Sequence, residues 1–161
     1  DIKVNATTLP LKVKQKTSAL KVSGMAKGDY VKSWKSGNKK IFTVSNKGVI
    51  KAGKKTGKAT LTITLASGLK KKVTVKVQKG KVTTKKISGL KSKVTLKKGK
   101  KLTLKPVRTP ITSTQKFTYS TSNKKIATVN SKGVITAKKA GKVKITVKSG
   151  KKKFTVTVTV R

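Results

Sequence analysis

The sequence predicts an all-β chain folded as two consecutive antiparallel sandwiches. Three observations carry that prediction: apolar residues that alternate strictly with Lys and Thr, turn signals at short intervals, and one pattern that occurs twice. No long segment has helical periodicity.

The alternation is clearest near the C-terminus. Val143, Ile145 and Val147 fall on one face of a strand, with Lys142, Lys144, Thr146 and Lys148 on the other. Phe154, Val156, Val158 and Val160 then alternate with Thr155, Thr157 and Thr159. Leu61, Ile63 and Leu65 stand likewise against Thr60, Thr62 and Thr64. Successive side chains point to opposite faces of a strand, so each of these buries one face and wets the other. Turns fall between them at Asn46-Lys47-Gly48, Ser131-Lys132-Gly133, Ala66-Ser67-Gly68 and Ser149-Gly150, where Asn and Gly tolerate the positive φ of tight hairpins.

The repeat is gapless over its central part. Trp34-Lys35-Ser36-Gly37-Asn38-Lys39-Lys40-Ile41 through Val49-Ile50 matches Tyr119-Ser120-Thr121-Ser122-Asn123-Lys124-Lys125-Ile126 through Val134-Ile135 at an offset of 85 residues. After a one-residue slip, Gly57-Lys58-Ala59-Thr60-Leu61 pairs with Gly141-Lys142-Val143-Lys144-Ile145, and each copy closes on a lysine triplet and a strand. This places one module at residues 1–79 and a second at 80–161, with a short joint near Gln78-Lys79-Gly80-Lys81 that allows limited bending. Modules this small bury limited apolar area, so each alone is expected to be modestly stable.

Composition excludes most chemistry. The chain of 161 residues carries 44 basic and 2 acidic residues, for a net charge of +42, and has no His and no Cys. Only Arg108 and Arg161 are arginines; the acids are Asp1 and Asp29. Proton-transfer catalysis needs a group that titrates near working pH, and glycoside hydrolysis needs two facing carboxylates. Neither zinc nor calcium finds a ligand set here. A lysine nucleophile would need a desolvating pocket, and nothing marks one lysine among so many. The expectation is therefore no enzyme, no catalytic residue, no metal and no cofactor. Without Cys there is no disulfide framework. No apolar run approaches the ~18 residues of a membrane span, so no membrane insertion is expected. The abrupt start in Asp1-Ile2-Lys3-Val4, already strand-like, reads as a piece of a larger, secreted or surface-displayed protein in which these modules are monomeric.

The segment Lys93–Val160 resembles the group-two bacterial immunoglobulin-like domain of intimin- and invasin-type surface proteins. The resemblance rests on Val94-Thr95-Leu96-Lys97-Lys98-Gly99 leading into Leu102-Thr103-Leu104, on Tyr119-Ser120-Thr121-Ser122-Asn123 and Ile126-Ala127-Thr128-Val129, and on Gly133-Val134-Ile135-Thr136-Ala137-Lys138-Lys139-Ala140-Gly141 with the closing strand. The first copy matches from Leu11 onward with Trp34 at the aromatic position. It departs where Gln15-Lys16 replaces a glycine turn and where Gly53 to Thr56 carries one extra residue. The resemblance implies immunoglobulin-like sandwiches serving as extracellular spacers or adhesion units, with no catalytic residues. Fold likeness alone gives no ligand.

The surface supplies the candidate ligand class. Lysines cluster at Lys39-Lys40, Lys54-Lys55, Lys70-Lys71-Lys72, Lys97-Lys98, Lys100-Lys101, Lys124-Lys125, Lys138-Lys139 and Lys151-Lys152-Lys153, and almost no negative charge answers them. Like charges within the ~8 Å screening length repel, and a bound polyanion relieves that cost. The expected partner is an acidic polysaccharide (pectin-like, glycosaminoglycan or a cell-wall polyanion), read diffusely by compact lysine charges rather than by planar arginine forks. Nonspecific nucleic-acid binding in vitro follows from the charge alone. The other readings are a spacer whose lysines only keep it soluble, and adhesion to a host protein. Trp34 and Tyr119, at equivalent strand starts, read as core aromatics, with sugar stacking as the alternative. Tyr30 and Phe42, which align with Gln115 and Ala127 of the second copy and so lack aromatic counterparts there, leave open a ring platform confined to the first. Asp29 is expected to pair with a lysine or cap a turn; a lysine–asparagine cross-link assisted by it is the remote alternative. Asn5-Ala6-Thr7 fits a glycosylation sequon that a bacterial chain would leave unused.

Overall fold

A computed structural model describes residues 2–161. Among these residues there are eighteen strands and no helix. The first nine are β1 (Lys3–Val4), β2 (Thr8–Lys12), β3 (Lys16–Thr17), β4 (Val22–Ser23), β5 (Val31–Ser36), β6 (Phe42–Val44), β7 (Ile50–Ala52), β8 (Gly57–Leu65) and β9 (Lys70–Gln78). The next nine repeat them in order: β10 (Lys86–Ser88), β11 (Lys93–Leu96), β12 (Lys101–Thr103), β13 (Val107–Thr109), β14 (Phe117–Thr121), β15 (Ala127–Val129), β16 (Val134–Ala137), β17 (Gly141–Ser149) and β18 (Lys152–Val160).

Each set makes the same sheets. In the first, β2-β9-β8-β5 form a four-stranded sheet, β3-β7-β6 a three-stranded one and β1-β4 a ribbon. In the second, the orders are β11-β18-β17-β14, β12-β16-β15 and β10-β13. The chain divides into two compact units, one built from residues up to Val82 with Pro110–Ser113, the other from Thr83–Thr109 and Thr114–Arg161. The short stretch Pro110–Ser113, which the sequence pattern places inside the second module, thus counts with the first unit. There Thr112 donates its hydroxyl to the Pro10 carbonyl and Gln15 Nε2 donates to the Thr112 carbonyl.

The sandwiches are not purely antiparallel. β2 runs parallel to β9, with Thr8 opposite Thr74 and Lys12 opposite Gln78, and β11 runs parallel to β18. Hydropathy alternation reports which face is buried and not which strand is adjacent. A parallel pair cannot be closed by a hairpin, and here the whole of each module separates the two partners.

The alternating residues build the cores. Leu9, Leu11, Leu61, Ile63, Val73, Val75 and Val77 from the four-stranded sheet meet Phe42, Ile50 and Ala52 from the three-stranded one. In the second unit Val143, Ile145, Val147, Val156, Val158 and Val160 meet Ala127, Ile135 and Ala137. Phe42 is 0% exposed, which removes it from any ring platform: Tyr30, 61% exposed, stands without it. Phe42 fills core volume where the second copy has Ala127.

Trp34 and Tyr119 are half-buried and pack on the two cores. Each also lies over the glycine of a turn. A Cβ on Gly48 would come within 2.6 Å of Trp34 Cζ2, and one on Gly133 within 2.9 Å of Tyr119 Cζ. Both glycines have positive φ, 80° and 78°. Burial raises the Tyr119 phenol above its ordinary pKa.

Candidate polyanion-binding surface

The lysine doublets sit in turns shaped by their neighbours. In Asn38-Lys39-Lys40 the Asn38 side chain accepts from the Lys40 N–H at 3.0 Å, and Asn123 does the same for Lys125 at 3.0 Å. Such Asx turns reverse the chain while leaving the two lysines outward. One strand earlier, the Ser36 hydroxyl donates to Phe42 O at 2.7 Å, and Thr121 donates to Ala127 O at 3.0 Å. These side-chain bonds tether each turn to the strand that follows it.

Folding gathers doublets that are far apart in sequence. At one end of the second unit, Lys98 N donates to Arg161 O at 2.8 Å, and Gly99 N to Ala137 O at 2.8 Å. Ala137 N returns a bond to Lys100 O at 2.9 Å, while Lys138 N and Lys139 N converge on Ile126 O at 2.8 and 3.1 Å. Lys97, Lys98, Lys100, Lys124, Lys125, Lys138 and Lys139 therefore share that end, all exposed. Lys101 stands beside it on β12, opposite Thr136. The first unit repeats the arrangement with Lys39, Lys40, Lys54 and Lys55: Lys14 N bonds Gly53 O at 3.1 Å and Gly53 N bonds Ile41 O at 2.8 Å.

The triplets lie elsewhere. Lys70, Lys71 and Lys72 open β9, and Lys152 and Lys153 open β18 with Lys151 in the turn before it, at the hairpin ends of the two long strand pairs. They do not act as triplets, because alternation splits them. Lys70 and Lys72 join Thr64 and Thr62 on the outer face, while Lys71 is half-buried opposite Ile63. Lys153 faces Lys148, and Lys152 pairs with the buried Ser149.

A second group of lysines forms no run of consecutive basic residues. Lys35, Lys58 and Lys76 lie with Lys70, Lys72, Thr60, Thr62, Thr64 and Thr74 on the outer face of the first four-stranded sheet. Lys93, Lys142, Lys144 and Lys148 do the same in the second, among Thr118, Ser120, Thr146, Thr155, Thr157 and Thr159. In a strand these lysines alternate with buried residues, so they are never adjacent in sequence. The signal that finds them is the period of two, read together with register. On such a face, charges recur about 6.6 Å along a strand and about 4.8 Å across strands.

Asp29 answers none of this charge. Its carboxylate accepts from the Ser67 hydroxyl at 2.6 Å, the Ser67 N–H at 3.1 Å and the Tyr30 N–H at 3.0 Å. It caps a turn, as one of the two sequence readings has it. The Ser67 hydroxyl bond holds its pKa below the ordinary aspartate value; desolvation opposes it, and weaker bonds from the Ser67 and Tyr30 N–H groups act with it. Asp1 lies outside the described residues. Among the described residues no three His, Cys, Asp or Glu side chains come together, and no helix is long and apolar enough to cross a membrane.

Known proteins supply the family. Residues 81–160 match the family model of the bacterial Ig-like domain (group 2), and this half of the chain belongs to that family. The first copy has the same nine strands in the same pairings. The family is non-catalytic. Among solved structures, domains 5-6 of the S-layer protein SbsC are 25% identical with a TM-score of 0.47, over 99% of this chain and 96% of that one. The S-layer protein rSbsC(31-844) is 20% identical with a TM-score of 0.48, over 100% of this chain and 28% of that one. A bacterial Ig-like domain containing GH10 xylanase from termite gut is 24% identical with a TM-score of 0.36, over 42% of this chain and 18% of that one. The chain thus spans less than a third of the longer structures it resembles. No curated protein matches it in sequence.

Proposed function

We propose that this tandem is a non-catalytic, extracellular or cell-surface module that binds an acidic polysaccharide through distributed lysines. The observation that carries the reading is the end of the second unit, where the turns around Lys97–Lys100, Lys124-Lys125 and Lys138-Lys139 are bonded into one basic surface. Asp29, the one internal carboxylate, is engaged with Ser67 instead. The charge far exceeds the magnitude of ~2–8 that keeps a small domain soluble. Lysine and threonine faces on the four-stranded sheets extend the surface with ammonium and hydroxyl groups at strand spacing. On a polymer many weak contacts add, so affinity rises with chain length and falls steeply with salt. Any single Lys→Ala change then costs about 0.5 kcal/mol, roughly twofold.

The test is binding to size-defined polygalacturonate, heparin, teichoic acid and duplex DNA, beside a neutral glucan, at physiological salt where charges are screened beyond ~8 Å. Preference for one acidic glycan is the expected result. Equal, salt-sensitive binding to every polyanion, or to none, would favour the second reading: a charged spacer or stalk without a ligand. That reading draws on the faithful repetition of one nine-strand plan, which suits a chain that sets distances.

A further inference from the structure

The repeat makes each module a reference for the other, and the two differ around one concavity of the first. It measures about 450 Å³ and is lined by Lys14, Thr43, Lys51, Ala52, Gly53 and Lys54. Lys51 occupies the middle strand of the three-stranded sheet, opposite Lys16 on one side and Thr43 on the other, with all three exposed. Lys14 is fixed at the rim by its N–H bond to Gly53 O, and Ala52 N bonds Gln15 O at 2.8 Å. Gly53 admits no side chain, since its Cβ would fall 2.6 Å from Lys40 O.

Three differences between the copies bear on this hollow. At the offset of 85 residues Lys14 corresponds to Gly99 and Lys51 to Thr136. The structure moves the replaced glycine to position 14 from the neighbouring Gln15-Lys16: Lys14 has φ 68°, and Gly99 has φ 85°. That left-handed conformation is one a side chain adopts at a cost and glycine adopts freely. The extra residue within Gly53–Thr56 alters the loop that carries Lys54. The fold needs no lysine at 14, because glycine closes the same turn in the second copy.

We infer that this hollow is an oxyanion seat peculiar to the first module, taking one carboxylate, sulfate or phosphate group. The ammonium groups of Lys14, Lys51 and Lys54 supply charge and donors, and Thr43 supplies a hydroxyl. An adjoining concavity of about 360 Å³ shares Thr43 and is lined by Trp34, Lys35 and Lys39. An acidic sugar whose oxyanion sits among the lysines therefore has its ring beside Trp34. The inference rests on the polyanion reading for the sign of its ligand, and differs in being a single-group site.

The test titrates the full, ¹⁵N-labelled chain with sodium sulfate, inorganic phosphate or galacturonate against chloride at constant ionic strength. Saturable shifts of the Lys14 and Lys51–Lys54 amides are expected, with only weak movement of Gly99 and Thr136–Lys139. Lys14→Gly, which keeps the turn, and Lys51→Thr, which installs the second copy's residue, should each weaken that binding about tenfold, as the loss of a charge-assisted hydrogen bond does. Lys14→Gly should also melt no lower than the parent. Equal shifts in both copies, or unchanged affinity in the two variants, overturn the seat. The preferred oxyanion identifies its source. Local saturation without polygalacturonate binding leaves the seat and removes the polymer reading; polymer binding without local saturation does the reverse.

Discussion

Replacing Gly48 by Ala puts two separable costs on the first module. Gly48 has φ 80°, and a non-glycine residue in that region pays roughly 1–2 kcal/mol. The added Cβ would also stand 2.6 Å from Cζ2 and 2.9 Å from Cε2 of Trp34. Carbon pairs prefer ~3.5–4.0 Å, so the ring must retreat from a core on which it is packed, at about 1–3 kcal/mol. The sum is about 3 kcal/mol, which for a module of this size lowers Tm by about 12–24 °C. Trp34 is the only tryptophan, so its fluorescence follows the first module alone during a thermal melt. A second measurement separates the two costs. In a Trp34→Leu background, followed by circular dichroism, Gly48→Ala should cost only the backbone share of about 1–2 kcal/mol. A loss below about 0.5 kcal/mol in the parent, or an equal loss in both backgrounds, would refute the reasoning that ring and glycine are fitted to each other.

Asp29 gives a pH signature. Its folded pKa is depressed, so its contribution is present above the unfolded value of ~3.9 and disappears as pH falls through the lower folded value. Melts from pH 7 to 2 should be level until about pH 4 and then decline, and Asp29→Asn should flatten that decline. Lys76→Glu should stabilise the first module by about 1 kcal/mol at low salt, since Lys76 directly faces Lys58 across the ladder. The gain should shrink in ~1 M salt, where screening falls to ~3 Å; a gain that survives there would mean the repulsion is not its source. Phe42→Ala, at a site that is 0% exposed, should cost about 3–5 kcal/mol by denaturant titration. A cost under 1 kcal/mol would place Phe42 outside the core.

Most of the architecture was legible because one periodicity wrote it twice. Val143, Ile145, Val147 and their partners alternate without interruption, and burial follows them residue by residue. The parallel neighbours β2 and β9 were not legible, since nothing in Thr8–Lys12 specifies a partner from Thr74–Gln78 rather than a nearer strand. The candidate surface divided in the same way. Consecutive lysines such as Lys124-Lys125 were visible as runs, but their meeting with Lys98 and Lys138 depends on turns closed by backbone bonds. Lys58, Lys76 and Lys144 were hidden by the alternation that exposes them. Lys14 was missed because a lone lysine carries no pattern; its alignment with Gly99 was available, and only the backbone angle gives that alignment weight.

The parallel pairing of first and last long strands decides how each module responds to tension. β2 enters at the same end of the sheet where β9 begins, and both run toward the other end. Pulling the two ends of a module away from each other drags these neighbours past one another. The load then falls on the whole ladder from Thr8–Thr74 to Lys12–Gln78 at once, with Thr74 N to Thr7 O and Val13 N to Gln78 O at its margins. A hairpin loaded from its open end would instead unzip, losing its bonds in succession. The same shear geometry recurs between β11 and β18. A tandem built this way yields to force only by breaking several hydrogen bonds together, so it can stay folded while transmitting a pull along the chain.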